Sequence, residues 1–373
     1  MANILNAYIN SSQGDLNTTL ETIKSADVKI STKNLLAIDG HVNMPYYTFK
    51  DAVDDSQSGI YPELKRVVLQ SVKKLSDEER RETAIIIGTS IIDWNTVDAI
   101  ESTVYEYKKT AYYTKKRSID SYAKDLSDEL GLNGFTLSIN TACTSSANAI
   151  LEASNLIEAK LFKYVVVVGL EIFSEMMSSG FNAMQLLSSS SIKPFDTHRD
   201  GMILGEGIAS LLIGSEKSPW KIRGGFSNCN AINITAVSPE GDEFVEVMQN
   251  AIVNANTDVN AITALKAHAT GTLSNDLSEM NALSKVFDSS VVFTTLKPYI
   301  GHTIGACGAL EIAIFMACID EGFIPKSINH TTSINSDYRP LQESKKCHSG
   351  TFMFNYFGFG GNNTSLILQK ELV

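Results

Sequence analysis

The sequence is short of basic charge. Its 31 lysines and arginines face 42 aspartates and glutamates, which leaves a formal net charge of −11 over 373 residues. General nucleic-acid binding is excluded on that balance, because phosphate neutralisation needs a basic face. An acidic partner would have to meet a local patch. Two candidates are present, Lys65-Arg66 and the run Lys108, Lys109, Lys115, Lys116 and Arg117. Both also read as ordinary solvated surface. Long apolar runs are missing too: no segment approaches the ~18 uncharged apolar residues of a membrane span. The opening MANILNAYINSSQGDL lacks the basic stretch and apolar run of a secretory signal. The expectation is a protein with no visible export signal and no membrane span. Cysteine is sparse, at five residues with no CxxC spacing. That argues against a disulfide framework or a structural zinc site, and a reducing cytoplasm fits best. No short-period repeat and no Pro-rich linker interrupts the chain.

What remains is the composition of an ordinary globular protein, 43% hydrophobic and 20% charged, with a mean hydropathy of −0.02. The length suits a large core in two or three units, so a two-part architecture is expected. Short apolar runs rich in β-branched residues recur at Ala84 to Ile87, Tyr164 to Val168, Ala209 to Ile213, Val291 to Phe293 and Thr364 to Leu368. They suit buried strands. Ser145 to Ala159 and Gly305 to Ile319 carry small and apolar residues at nearly every position, the pattern of helices buried all round. Buried helices among buried strands imply layered α/β architecture with sheets covered on both faces. Ser218-Pro219-Trp220 marks a midpoint, which divides the chain into 1–217 and 218–373.

In SINTACTSSANAILEA, a strand-like approach ends at Cys143 and small hydroxyl residues then open a helix. A cysteine there sits where the helix dipole and free N–H groups favour a thiolate, so a nucleophile near neutral pH is expected. The same N–H groups can receive the oxyanion of a thioester under attack. Taken alone, such a cysteine reads equally as a buried core thiol. His268 in KAHATGTLSNDLSEMNAL and His302 in TTLKPYIGHTIGACGALEIAI each follow an apolar run and stand beside glycine and threonine. One such histidine would be structural; two beside a cysteine point to a site. FMFNYFGFGGNNTSLIL carries a Gly-Phe-Gly-Gly loop in which Phe359 could swing, or which is simply a bulge or tight turn.

TACTSS, KPFDTHRDGMILGEG, HATGT followed by ND and E, LKPYIGHTIGACGALE and FGFGG occur in this order. Together they resemble the β-ketoacyl-[acyl carrier protein] synthases of types I and II, members of the thiolase superfamily. The likeness covers roughly residues 80 to 370; before residue 80 the family's opening strand and Gly-rich turn are not evident. The resemblance implies a thiolase-like α/β fold of two pseudo-duplicated halves in five αβαβα layers, with the cysteine in the first half and both histidines in the second. It implies decarboxylative Claisen condensation of an acyl group on Cys143 with malonyl-[acyl carrier protein], assisted by His268 and His302. Lys297 and Glu311 match the family's ion pair, and Asp276 its acid. Thr270 and Thr272 match the hydroxyls that hold the phosphopantetheine arm. Phe359 matches the gate whose N–H completes the oxyanion hole with that of Cys143.

Such chemistry needs donors at the enolate rather than a metal, so neither metal nor cofactor is expected. The implied partners are acyl carrier protein, docking on Lys65, Arg66, Lys115 and Arg117, and a second subunit. That subunit is either identical or a chain-length-factor relative. Thr144 stands where the family commonly has Ser, and Leu273 where Pro is frequent. The wording of several motifs leans towards the discrete ketosynthases of aryl-polyene-type clusters. A noncatalytic chain-length factor would usually lack the cysteine. A degradative thiolase would end in a second cysteine rather than FGFGG, and a type III enzyme would carry Asn where His302 stands. An α/β scaffold whose glycine loops are mere turns is the rival outside enzymes.

Overall fold

Four of the five apolar runs of the sequence become inner strands of a ten-stranded sheet, and the fifth meets its edge strand. The computed structural model describes residues 1–37, 40–51, 53, 59–90, 119–229 and 237–372. The strands are β1 (Asn3–Ser11), β2 (Thr83–Thr89), β3 (Thr136–Ile139), β4 (Tyr164–Glu171), β5 (Gly207–Gly214), β6 (Trp220–Cys229), β7 (Ile262–Lys266), β8 (Phe293–Thr294), β9 (Gly350–Phe357) and β10 (Asn362–Lys370). Every residue of β2, β4 and β5 is buried, as continuous Val/Ile runs require. The order across the sheet is β8-β7-β9-β10-β6-β1-β5-β4-β2-β3. It reads as one five-strand pattern used twice. From the outside inward, the first half runs third, second, fourth, fifth, first, and so does the second half. The directions repeat as well: parallel, parallel, then two antiparallel pairings in each half. The halves join where β1 pairs antiparallel with β6, at Asn3 opposite Lys221 and Ile4 opposite Trp220.

Six helices complete the repeat: α1 (Tyr61–Val72), α2 (Ile119–Leu130), α3 (Ser145–Glu158), α4 (Asp242–Asn254), α5 (Leu273–Val286) and α6 (Cys307–Asp320). Strand alternation assigns the layers, because successive side chains point to opposite faces. Ile85, Ile87, Val166 and Val168 pack under α1 and α2 with Leu64, Val67 and Leu126. Their neighbours Ala84, Ile86, Val165 and Val167 face the central layer of α3 and α6. In the second half Phe352, Phe354, Leu366 and Leu368 face that central layer. Leu265, Met353 and Ile367 pack under α4 and α5. The result is helix, sheet, helix, sheet, helix: the expected five layers.

The central helices touch closely. A Cβ built on Gly308 would stand 2.3 Å from the backbone nitrogen of Ala147, so only a glycine lets α6 meet the start of α3. From Cys307 to Ile319 every α6 residue is buried.

Three expectations are corrected. The family's opening strand is present after all, as β1, with a turn at Gly14 (φ +102°). Asn6 and Asn10 interrupt its apolar alternation and hide it; α1 accepts a hydrogen bond from the amide nitrogen of each, at the Ser71 carbonyl and the Glu63 carboxylate. The run Val291 to Phe293 contributes only Phe293–Thr294 as strand. The helix expected from Gly305 begins at Cys307, after a 3₁₀ turn at Ile304–Ala306. Among the described residues, no helix is long and apolar enough to cross a membrane.

Candidate active site

Cys143 lies two residues before α3, at the end of a turn its neighbours hold shut. The Thr144 hydroxyl donates to the Thr141 carbonyl at 2.7 Å and the Ser145 hydroxyl to that of Ala142 at 2.6 Å. Ala142 sits at φ +52°, a conformation that costs a residue with a side chain about 1–3 kcal/mol and so persists only where surroundings enforce it. The thiol is buried. Burial pushes it up to about 11, although the backbone N–H groups of Phe359 and of Cys143 itself, and the charge of Lys297, pull the other way. The neutral-pH thiolate expected from the helix start is thus corrected: the loss of water outweighs the dipole.

His268 lies two residues past the end of β7, and His302 two residues past the short helix Lys297–Ile300. The two rings stand edge to face with centroids 5.3 Å apart. The Cys143 sulfur and one nitrogen from each ring lie within 4.8 Å of one another. The surroundings fix the tautomers. His302 Nδ1 accepts the Ile304 N–H at 3.2 Å. His268 Nδ1 faces the Lys297 ammonium, which can only donate, at 3.3 Å. Both rings must therefore carry their proton on Nε2. Burial first, then the Lys297 charge, holds both imidazoles well below the ordinary histidine value. They are neutral donors at physiological pH. These three residues are the one cluster with metal-ligand geometry among the described residues. Ligation needs an unprotonated ring nitrogen, though, and both free nitrogens are protonated.

Behind the histidines lies a buried charge cluster. Lys297 donates to the His268 carbonyl at 2.6 Å and pairs with Glu311 Oε1 at 2.9 Å. Lys266 takes the other oxygen of Glu311 at 2.5 Å, donates to the Asn355 carbonyl at 2.9 Å and lies over the Tyr356 ring. All three charged groups are buried. The shared carboxylate leaves the lysines unequal. Burial pushes Lys266 down to about 8, with Glu311 opposing only in part. For Lys297 burial acts in the same direction, but Glu311 and the nearby thiols outweigh it and the group is raised.

Lys266, the K that opens KAHATGT, is marked by no motif. Glu279 was also unassigned, although it is the E quoted after HATGT; its two oxygens accept the N–H groups of His268 and Ala269, each at 2.7 Å. Glu171, at the end of β4, accepts from Ser90 and from Gly305 in the His302 turn.

The remaining site residues gather around one pocket, whose lining includes Cys143, both histidines, Thr270, Thr272 and Phe359. The Thr270 and Thr272 hydroxyls are 2.9 Å apart. Asp276 touches the loop rather than the rings: it accepts the N–H groups of Phe195 at 2.8 Å and Gly271 at 3.1 Å. Phe359 packs edge to face on Phe181, and Gly358 beside it lies against the Cys143 backbone, where a Cβ would come within 3.3 Å of its nitrogen. The basic residues are less available. Lys65 pairs with Glu129 at 2.6 Å and Arg66 with Glu63 at 2.5 Å. Lys108, Lys109, Lys115, Lys116 and Arg117 lie outside the described residues.

A duplicated five-layer fold with one cysteine and two neutral histidines at the seam defines a thiolase-like condensing-enzyme scaffold. Two family models match it in succession, the β-ketoacyl synthase N-terminal domain over residues 54–218 and its C-terminal domain over residues 221–331. The chain belongs to the β-ketoacyl synthase family. It is 28% identical to the chloroplastic 3-oxoacyl-[acyl-carrier-protein] synthase I of Arabidopsis thaliana, over 78% of this chain and 66% of that relative, just under two thirds of its length. It is 29% identical to 3-oxoacyl-[acyl-carrier-protein] synthase 2 of Rhizobium meliloti, over 80% of this chain and 76% of the relative. In fold it is similar to the ketosynthase ApeO of Xenorhabdus doucetiae, solved in complex with its chain length factor ApeC. There the TM-score is 0.88 at 24% identity, covering 99% of this chain and 98% of that one.

Proposed function

We propose that this chain joins an acyl group, carried as a thioester on Cys143, to the two-carbon unit that malonyl-[acyl carrier protein] yields on losing CO₂. The observation that carries this reading is the meeting of the Cys143 sulfur with two histidines whose Nδ1 atoms are already engaged.

In the first step Cys143 sulfur attacks the acyl thioester; a carbon–sulfur bond forms, the carrier's thiolate leaves, and the thiol proton ends on it. The oxyanion formed in passing is held by the N–H groups of Cys143 and Phe359. In the second step the carboxylate of the malonyl group leaves as CO₂ and its electron pair becomes an enolate. Nε2–H of His268 and of His302 hold the enolate oxygen, and their neutrality means that they need not give up a proton to do so. The enolate carbon then attacks the Cys143 thioester, the carbon–sulfur bond to Cys143 breaks, and the departing thiolate takes a proton from solvent. Thr270 and Thr272 would receive the phosphopantetheine arm. Lys297 orients His268 with Glu311 as its counter-ion, and Asp276 holds the Gly271 turn beside them. No metal or other cofactor has a step to perform.

The partner is an acyl carrier protein. If it docks on Lys65 and Arg66, it competes with Glu129 and Glu63 for exposed pairs worth only ~0.2–1 kcal/mol each. The complex of ApeO with a chain length factor supports a heterodimer beside the homodimer, and the motif wording noted above is what supports the aryl-polyene-type ketosynthases as the subfamily. No disulfide joins any of the five cysteines in the described residues, and a reducing cytoplasm is part of this reading. The test is mass spectrometry of the protein incubated with acyl- and malonyl-carrier proteins. An acyl adduct on Cys143 and a β-ketoacyl product support the reading; no adduct and no product would end it.

A further inference from the structure

The buried cluster behind the histidines holds one more cation than the proposed chemistry uses. Lys297 needs a counter-ion, and Glu311 provides it through Oε1 at 2.9 Å. Glu311 Oε2 belongs to Lys266, a fully buried lysine projecting from the last position of β7, two residues before His268. Two ammonium groups on one carboxylate leave a net positive charge under the site. Such an arrangement is expensive: taking charges out of water is costly, and their attraction offsets it only where the geometry is good and further hydrogen bonds are made. The Lys266 ammonium has further attachments, to the Asn355 carbonyl and the face of the Tyr356 ring, which fix its position.

We propose that Lys266 is a positioning residue of the condensing site: it holds the second oxygen of Glu311 so that the first keeps Lys297 aimed at His268. The charged or titratable groups that face it are Glu311 and Cys307 from α6, Lys297 from the short helix, Tyr356 from β9, Glu279 from α5, and the two histidines. Burial and Lys297 depress the histidines most, and Lys266 adds to both. Losing the cation therefore has a defined sign. Each imidazole should titrate at higher pH than in the wild type, with burial and Lys297 still holding it down.

This inference rests on the condensing reading, and its test separates the two. Lys266→Met keeps the volume and removes the charge; Lys266→Arg keeps the charge. Titration of isotope-labelled His268 and His302 by NMR needs no turnover. In Lys266→Met both are expected to titrate nearer the ordinary imidazole value, and in Lys266→Arg to stay depressed. Malonyl-carrier decarboxylation should fall roughly tenfold in kcat with KM unchanged in the Met variant, less than the loss from removing a direct donor. In the wild type, kcat should decline as pH rises through the Lys266 titration, and that decline should be absent from Lys266→Arg. Should Lys266→Met not fold, Lys266→Gln is read in its place, and the alkaline decline of the wild type decides independently. Unchanged histidine titration together with a wild-type kcat, with or without a lower melting temperature, would reduce Lys266 to a structural residue. A wild-type protein that decarboxylates nothing would instead overturn the condensing reading, leaving the titrations to judge Lys266.

Discussion

The Cys307 thiol donates to the backbone carbonyl of Cys143 across 3.0 Å. One central helix thus grips the turn that carries the nucleophile at the start of the other. Cys307→Ala should cost about 1–2 kcal/mol, from the lost hydrogen bond and the small cavity. It should slow acylation of Cys143 while leaving decarboxylation near the wild-type rate, because the histidines do not lean on this contact. Thermal melts and the two half-reactions measured separately check it; equal losses in both would argue for general damage instead.

Cys143→Ala should abolish condensation and acyl loading with the fold intact, since alanine fits the same buried turn. Decarboxylation of malonyl-carrier protein should persist. Product formation by this variant at a measurable rate would refute the nucleophile.

His268→Ala and His302→Ala should each reduce decarboxylation by roughly 10²–10³-fold, the usual loss when one preorganised donor to an oxyanion is removed. A single-turnover assay of CO₂ release reads this without the condensation step. A wild-type rate in either variant would give that ring another role.

Because burial raises the Cys143 thiol to about 11, its thiolate is scarce in the free protein at neutral pH. Iodoacetamide labelling of Cys143 should climb about tenfold per pH unit between pH 7 and 9 without levelling off, since the thiolate reacts and the thiol does not. A plateau at or below pH 8 would mean that the helix start and Lys297 prevail over burial after all.

Lys297→Ala leaves Glu311 buried with only Lys266 for company, and Glu311→Ala leaves two buried ammonium groups facing each other. Both should destabilise the fold by about 3–5 kcal/mol, the usual consequence of breaking a buried pair, and the glutamate variant should be the worse of the two. Denaturant titration gives the order; unchanged midpoints would remove the cluster from the account of stability.

The reacting groups were legible because chemistry imposes local wording on them: a nucleophile needs small neighbours at a helix start, and a delivered histidine needs a glycine turn. The residues that steady them carry no such mark. Lys266 ends an ordinary strand, and only the sheet's register against β9 brings it to Glu311. Glu171 likewise reads as the tail of VVVVGLE until the His302 turn arrives beside it. The thiolate was misjudged for a related reason. Sequence shows the helix start but not the layers that close over it. In β1, Asn6 and Asn10 disguised a strand whose polar side chains are answered by a helix more than fifty residues away.

The repeated strand pattern has one more consequence. Cys143 precedes α3 and His302 precedes α6, and these helices hold the same place in the two copies of the βαβαβαββ unit. A half carries either the electrophile's anchor or the enolate's donors, never both. If the proposed condensation holds, the division of labour between acyl acceptor and malonyl activator is an asymmetry between two copies of one motif.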